Sequence, residues 1–420
     1  MKESQNSAWP QMSREAIRTE VFRALDENIN FELQGEAVLG VPASSLDPKV
    51  FYSNAPFLAE APFLSALVAN PNHIGCHTLG KSEPFFRGTH RIEKALIHLC
   101  ATHILNADEA CDGYVTAGGT EANIQAVWIY RNYFMQTFGA QPNEITLLCS
   151  VDSHYSVYKA ADLLNIGIAT LPVDQATRRI AATSMHEVVQ RLKAENCKYV
   201  IAFSNMMTTM FGSIDDPQLF GDVLTQHGME FMLHVDGAYG GFYHPFSGND
   251  VVADFRNPYV NSVTLDAHKM VQAPYGTGVL VIKKGWMGYT QTQEASYVAG
   301  ADYTLSGSRS GANAIAVWMI LMTYGVRGWT DKIRALSARA DRFSAGLNEL
   351  GIGYFRSPHS NIITLHADAR IAQIAQRFGL VPDNHHAPNW FKVVVMEHAT
   401  DERLHALLHA LGEVCEVNKA

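Results

Sequence analysis

Long apolar runs, paired cysteines and clustered basic residues are all missing from this chain. No stretch reaches the roughly 18 consecutive apolar residues that a membrane-spanning helix requires, so no transmembrane helix is expected. The six cysteines, at 76, 100, 111, 149, 197 and 415, never form a CxxC pair. Most sit in apolar strings and read as reduced core thiols of a cytoplasmic protein. Lys and Arg number 32 against 41 Asp and Glu, and no basic run occurs within the net charge of -9. Nucleic acid and anionic membrane are poor partners for such a surface. The opening MKESQNSAWPQMSREAIRTE is polar and has no apolar signal core, which again predicts a cytoplasmic chain. Internal repeats and low-complexity tracts are absent. Metal-ligand spacing recurs nowhere, His385-His386 included, so no metal site is expected.

What the chain does have is enough apolar material for a large core. Of its 420 residues 47% are hydrophobic and 17% charged, a compact globular composition with room for two or three domains. From Gly113 onward, short apolar strands alternate with helical segments. Strands are predicted at Ile145–Cys149, Ile166–Leu171, Tyr199–Phe203, Phe231–Val235, Ser262–Leu265 and Val279–Ile282. Helices are predicted at Glu121–Phe134, Tyr155–Leu164, Ser184–Ala194 and Pro217–His227. The alternation predicts an α/β fold with a mostly parallel central sheet covered by helices on both faces. Residues 1–70 read as an N-terminal arm that cannot fold alone and wraps another surface, with a partner subunit as one candidate. Residues 71–310 read as the large domain. Residues 311–420 read as a connecting helix, at Asn313–Tyr324 and Thr330–Leu350, and a small C-terminal α+β domain. The strands of that tail are expected at Ile362–Leu365 and Phe391–Met396, and its last helix at Asp401–Glu413.

Five stretches carry chemistry, and each has a plainer alternative. In Val115–Asn123 two glycines precede a helix, with Thr120 as cap. Gly119 and the free N–H groups of the helix start would attract a phosphate, although an ordinary strand–helix turn looks the same. His154, in DSHYSV after an apolar strand, sits where open α/β sheets bind ligands and offers a flat face for stacking. A structural histidine is the alternative. Phe231–Gly241 is an apolar strand ending in Asp236, whose carboxylate needs a cationic or hydrogen-bonding partner. A protonated pyridine nitrogen would be one, and a turn aspartate the plain reading. Ser262–Leu280 delivers Asp266-Ala267-His268-Lys269 past a strand, and a lysine there beside a histidine suits a Schiff base with pyridoxal phosphate (PLP). A solvated surface lysine is the alternative. Tyr303–Gly311 combines hydroxyls with Arg309 before a helix, which suits phosphate contact, loop anchoring or a solvated turn. Upstream, HIGCHTLGKSEPFFRGTHRIE (residues 73–93) reads as a structured loop or a substrate-access loop carrying His77. Thr89 is the candidate cap of the helix after it.

In this order, TAGGTEAN, the His154 stretch, HVDGAYGGF, DAHKM and SGSRSG resemble the group II PLP-dependent amino-acid decarboxylases of fold type I. The resemblance starts near residue 72, is closest to the archaeal-type tyrosine/aspartate decarboxylases, and extends to the sphingosine-phosphate lyases. It implies that Lys269 carries the cofactor, that Asp236 pairs with the pyridine nitrogen, and that Ala238 packs on the ring face opposite His154. It implies phosphate contacts from Gly119, Thr120 and His268, with Ser308 supplied from a second subunit of a homodimer. Tyr297 or Tyr303 would deliver a proton to the substrate carbon. The implied reaction is decarboxylation of a small-molecule L-amino acid to an amine and CO2. A carbon–carbon lyase acting on a phosphorylated amino alcohol is the alternative, and a PLP-binding protein without efficient catalysis a further one. Where relatives carry an arginine for the substrate carboxylate, this chain has Lys392, which keeps the charge but loses the bidentate fork. The His77 loop also departs from the usual pattern, so substrate identity does not carry over.

Overall fold

The computed structural model describes residues 9–27, 56–68, 72–74, 83–294 and 300–417. Helices α1 (Arg14–Asp26), α2 (Pro62–Val68) and α3 (Arg87–Leu99) precede the main sheet, as does a short strand β1 (Asn72–Ile74). There follow β2 (Cys111–Thr116), α4 (Gly119–Phe138), β3 (Ile145–Ser150), α5 (Ser156–Leu164), β4 (Gly167–Leu171), α6 (Ala182–Ala194) and β5 (Tyr199–Asn205). Then come α7 (Pro217–Gln226), β6 (Glu230–Gly237), β7 (Val260–Asp266) and β8 (Gly278–Lys283). These seven strands, β2 to β8, form one sheet in the order β2-β8-β7-β6-β5-β3-β4. Strands β7, β6, β5, β3 and β4 are parallel, while β8 runs against both of its neighbours. Two reversals leave β2 pointing the same way as β7. The ends of β2, β3, β5, β6 and β7 therefore open on one side of the sheet, where α/β folds bind ligands.

The strands form because their side chains are apolar on both faces. β3 (ITLLCS) is buried at all six positions, as a strand covered by helices above and below requires. The sequence left β2 unassigned, because Cys111-Asp112-Gly113 weakens its apolar run. Helix α3 starts at Arg87 rather than at Thr89, whose hydroxyl instead donates to Phe86 O at 3.0 Å from within the first turn.

The two helical segments predicted after residue 311 are one helix, α8 (Gly311–Glu349), kinked at Gly325. Gly325 has φ 59°, and a Cβ there would lie 2.6 Å from Gln11 N. The kink lets the N-terminal chain cross over the helix, with Met12 N–H donating to Met322 O at 2.8 Å and Trp9 Nε1 to Leu321 O at 3.1 Å. Ile17, Val21 and Ala24 of α1 are buried in the main core. The described part of the arm thus covers its own chain.

Beyond α8 lies a four-stranded antiparallel sheet. In chain order, β9 (Ser308–Ser310) pairs with β1, and the small sheet contains β10 (Tyr354–Phe355), β11 (Ile362–His366), β12 (Val381–Pro382) and β13 (Trp390–Val394). Helices α9 (Ala369–Phe378) and α10 (Asp401–Val417) cover it over a separate core that includes Phe343, Leu365, Phe391 and Leu411. Among the described residues, no helix is long and apolar enough to cross a membrane.

Candidate active site

A cavity of about 380 Å³ sits where the strand ends converge. The β2–α4 turn contributes Ala117 to Glu121, β6 contributes Asp236, and the turns after β6 and β7 contribute Ala238, Tyr239, His268 and Lys269. His154 and Tyr155 close it from the β3 side, and Asn205 to Thr209 from the β5 side.

Asp236 ends β6, whose last six residues are buried, so its carboxylate lies 7% exposed at the cavity floor. Ala238 N–H donates to Oδ1 at 3.0 Å and Asn123 Nδ2 to Oδ2 at 2.9 Å. Asn123 comes from the first turns of α4 and also donates to Ser156 Oγ at 2.9 Å. Ser156 in turn meets His154 Nδ1 at 3.0 Å, and its own N–H points at the same nitrogen from 3.3 Å. Burial lowers the His154 pKa, against the opposing pull of Asp236. The ring therefore favours its neutral form, with Nδ1 as acceptor and Nε2 carrying the proton.

Lys269 lies one turn beyond β7, with Nζ 3.5 Å from Asp266 Oδ2. Asp266, 2% exposed, also accepts from Gly119 N–H at 3.2 Å and lies 2.9 Å from His268 Nδ1. Burial raises the Asp266 pKa against the pull of Lys269 and His268. One carboxylate thus ties the lysine, the histidine and the glycine turn together. A Cβ on Gly119 would stand 3.1 Å from both Ala238 Cβ and Asp266 Oδ2, a tight fit that would press on both side chains.

The turn is braced from behind. On the open edge of β2, Val115 N–H donates to Glu93 Oε1 at 2.8 Å and Val115 O accepts from Arg309 Nη1 at 3.1 Å. Arg309 and Glu93 are themselves a buried ion pair. The guanidinium of SGSRSG is therefore a loop anchor and not a phosphate ligand.

The structure brings Gly119, Thr120, His154, Asp236, Ala238, His268 and Lys269 to one cavity. It does not bring Ser308 or Tyr303 there. Ser308 is exposed on β9, and Tyr303 packs against the cluster around Tyr130 and Met287, with its main-chain O accepting from Gln125 Nε2 at 2.9 Å. The pattern YTLSGSRSG showed a loop near the lysine but not which side of the sheet it occupies. Tyr297 and His77 lie outside the described residues. Lys392 stands next door, in a cleft of about 1020 Å³ that shares His154, Tyr155 and Thr209 with the cavity. Its Nζ donates to Thr209 O at 2.9 Å, and burial, followed by the charge of Lys269, lowers its pKa.

Sequence reasoning missed Asp266, Asn123 and the loop after β5. In that loop Asn205 Nδ2 donates to Ser153 Oγ at 2.8 Å and to Asp215 Oδ2 at 2.6 Å, and Met207 adopts a left-handed φ of 70°. An asparagine ending an apolar strand, as in IAFSN, was the available signal. Strained backbone of this kind is common at ligand sites.

The pyridoxal-dependent decarboxylase conserved domain matches residues 92–356. The chain belongs to that family. The tryptophan decarboxylase of Clostridium sporogenes (strain ATCC 15579) is 44% identical over 405 residues, spanning 96% of this chain and 97% of that protein. A probable L-tyrosine/L-aspartate decarboxylase of Methanothermobacter thermautotrophicus is 30% identical over 335 residues, 78% of this chain and 88% of that one. Among solved structures, L-methionine decarboxylase from Streptomyces sp. 590 aligns with a TM-score of 0.69 at 20% identity, covering 82% of this chain and 86% of that one. Sphingosine-1-phosphate lyase from Burkholderia pseudomallei gives 0.69 at 21% identity, with 78% and 77% covered, a likeness of fold alone. The decarboxylase thus has the fold type I architecture and uses pyridoxal phosphate to decarboxylate an amino acid. Its cavity fits that cofactor: an amine at Lys269, an acceptor-only carboxylate at Asp236 and a glycine turn at a helix start.

Proposed function

We propose that the decarboxylase converts an aromatic L-amino acid, tryptophan first, to its amine and CO2, at a site built on Lys269, Asp236 and His154. The observation that carries this reading is the 44% identity to a tryptophan decarboxylase across nearly the whole of both chains. The wide cleft beside the cavity, walled by Tyr155, Phe211 and Trp390, supports it with room and apolar surface for a large side chain.

Bound pyridoxal phosphate supplies the electron sink that takes up the bonding pair as CO2 leaves. Lys269 Nζ, at the cavity wall beside Asp266, would be the amine that anchors the cofactor. Asp236 holds a proton at the ring nitrogen, since an ionised carboxylate there favours the charged partner. His154, through its flat imidazole, and Ala238, which lines the same cavity, would hold the cofactor ring. Gly119, Thr120 and His268 hold the phosphate, with the α4 helix start turned toward its charge. Lys392, which lines the cleft, takes the substrate carboxylate as a point charge without a bidentate fork. Tyr297 returns the proton to the substrate carbon, and His77 lines the substrate side. The same reading makes the protein a cytoplasmic homodimer, with Ser308 reaching the partner's cavity. It divides the chain into an arm (1–70), a large domain (71–310) and a small one (311–420).

The test is a screen of the common L-amino acids with added cofactor, measuring CO2 and amine together. The expected result is equimolar tryptamine and CO2 from tryptophan. Turnover of aspartate or methionine with none of tryptophan, tyrosine or phenylalanine would reject the aromatic assignment.

A further inference from the structure

Asp236 as a carboxylate can only accept hydrogen bonds, and that fixes the direction of every bond behind it. Asn123 presents its amide nitrogen to Oδ2 at 2.9 Å, because an amide oxygen there would face another oxygen. The amide oxygen therefore turns to His234 Nε2, 3.1 Å away. Nε2 carries the ring proton, with Thr264 Oγ1 also 3.1 Å from it. Nδ1 is left to accept from the Ser262 hydroxyl at 2.7 Å. The Ser262 oxygen in turn accepts from the Tyr130 hydroxyl at 2.5 Å. Asn123, Tyr130, His234, Ser262 and Thr264 are each 1% exposed or less, which shields these bonds from bulk solvent.

Burial supplies the ring state this direction demands, pushing His234 down to about 4 against the pull of Asp236. The second amide proton of Asn123 goes to Ser156, which holds His154. A turned-over Asn123 amide would set oxygen against carboxylate and nitrogen against the Nε2 proton at once. The titratable groups that interact with Asp236 include His234 and His154, and Asp266, His268 and Lys269 line the same cavity, with Lys269 also acting on His154.

We propose that Asn123, backed by His234, Ser262 and Tyr130, is a positioning relay that keeps Asp236 acceptor-only and couples it to His154, so that both address the cofactor ring in one geometry. The relay rests on the reading of Asp236 as partner of the ring nitrogen. Asn123 and His234 touch neither cofactor nor substrate in this account and act through Asp236 and His154.

The experiment uses the holoenzyme and three variants, Asn123→Asp, His234→Leu and His234→Gln. The readouts are the pH midpoint of the bound-cofactor absorption band, kcat and KM taken separately, and Tm. Asn123→Asp sets a second carboxylate against Asp236, and two such groups share a proton. Its spectral midpoint should move by about one pH unit or more, and kcat should fall at least about tenfold, with KM within about threefold. His234→Leu removes the donor that fixes the amide and should lower kcat by roughly three- to tenfold with a smaller midpoint shift. His234→Gln can offer N–H to Asn123 and oxygen to Ser262, and should recover the parental midpoint and about half the parental kcat or better. Unmoved midpoints in Asn123→Asp and His234→Leu, with only Tm lowered, would overturn the relay. So would a His234→Gln variant as impaired as His234→Leu. Should Asn123→Asp not fold, the two His234 variants decide on the same readouts. A parent protein with no bound-cofactor band would instead overturn the Asp236 reading beneath the relay.

Discussion

Replacing Lys392 by methionine separates a substrate contact from a structural strut. Methionine keeps the apolar stem of β13 and deletes only Nζ, which donates to Thr209 O at 2.9 Å on the shared wall of cavity and cleft. A hydrogen bond to a charged group contributes about 1.5–3 kcal/mol. The side chain is partly exposed, so solvent screening places this bond at the lower end, roughly 1.5–2 kcal/mol. That corresponds to a loss of about ten- to thirtyfold in kcat/KM. The assay is tryptophan decarboxylation run beside competitive inhibition by tryptamine, which lacks the carboxylate. The expected outcome is a reduced kcat/KM, an unchanged cofactor spectrum and an unchanged inhibition constant for tryptamine. If kcat/KM stays within about twofold of the parent, Lys392 does not hold the carboxylate. If tryptamine binding weakens in parallel, Nζ acts through the Thr209 loop, and the substrate contact must be sought elsewhere.

Asp236→Asn should keep cofactor bound but lose at least about a hundredfold in kcat, because a neutral amide cannot hold the ring nitrogen protonated and sets an N–H against Asn123 or Ala238. Stopped-flow turnover beside the absorption spectrum checks this, and an unimpaired kcat removes Asp236 from the mechanism. Asp215 predicts a pH dependence of stability. Burial pushes its carboxyl from 3.8 up to about 7, while Asn205 donates to it twice. The folded protein then holds a proton that the unfolded chain has released, so stability present at pH 4 is lost as pH rises through 7. Asp215→Asn should flatten the fall of Tm between about pH 4 and 7, and an unchanged slope would refute the assignment.

The central sheet was legible because β3, β5 and β6 are dominated by apolar residues on both faces, as buried parallel strands are, with His234 a polar exception within β6. Lys269, Asp236 and His154 drew attention because each lies at or within a few residues of a strand end, that of β7, β6 and β3 in turn. Asp266 escaped notice because Gly119, whose N–H it accepts, comes from another strand end 147 residues away and meets it only in the fold. SGSRSG left Arg309 open between phosphate contact, loop anchoring and a solvated turn, because its partner Glu93 lies more than two hundred residues away in the chain. Tyr303 is near the lysine in sequence, but its main-chain O is held by the Thr290 hydroxyl at 2.9 Å and its ring packs against the cluster around Tyr130 and Met287. Asn123 carried no visible signal, since its role depends on Asp236 and Ser156 approaching it from two elements at once.

The most direct test of the account is the position of the covalent link. Borohydride reduction of the yellow holoenzyme followed by peptide mapping should bleach the long-wavelength band and place the pyridoxyl label on Lys269. Label on Lys392, Lys159 or any other lysine, with Lys269 unmodified, would contradict it.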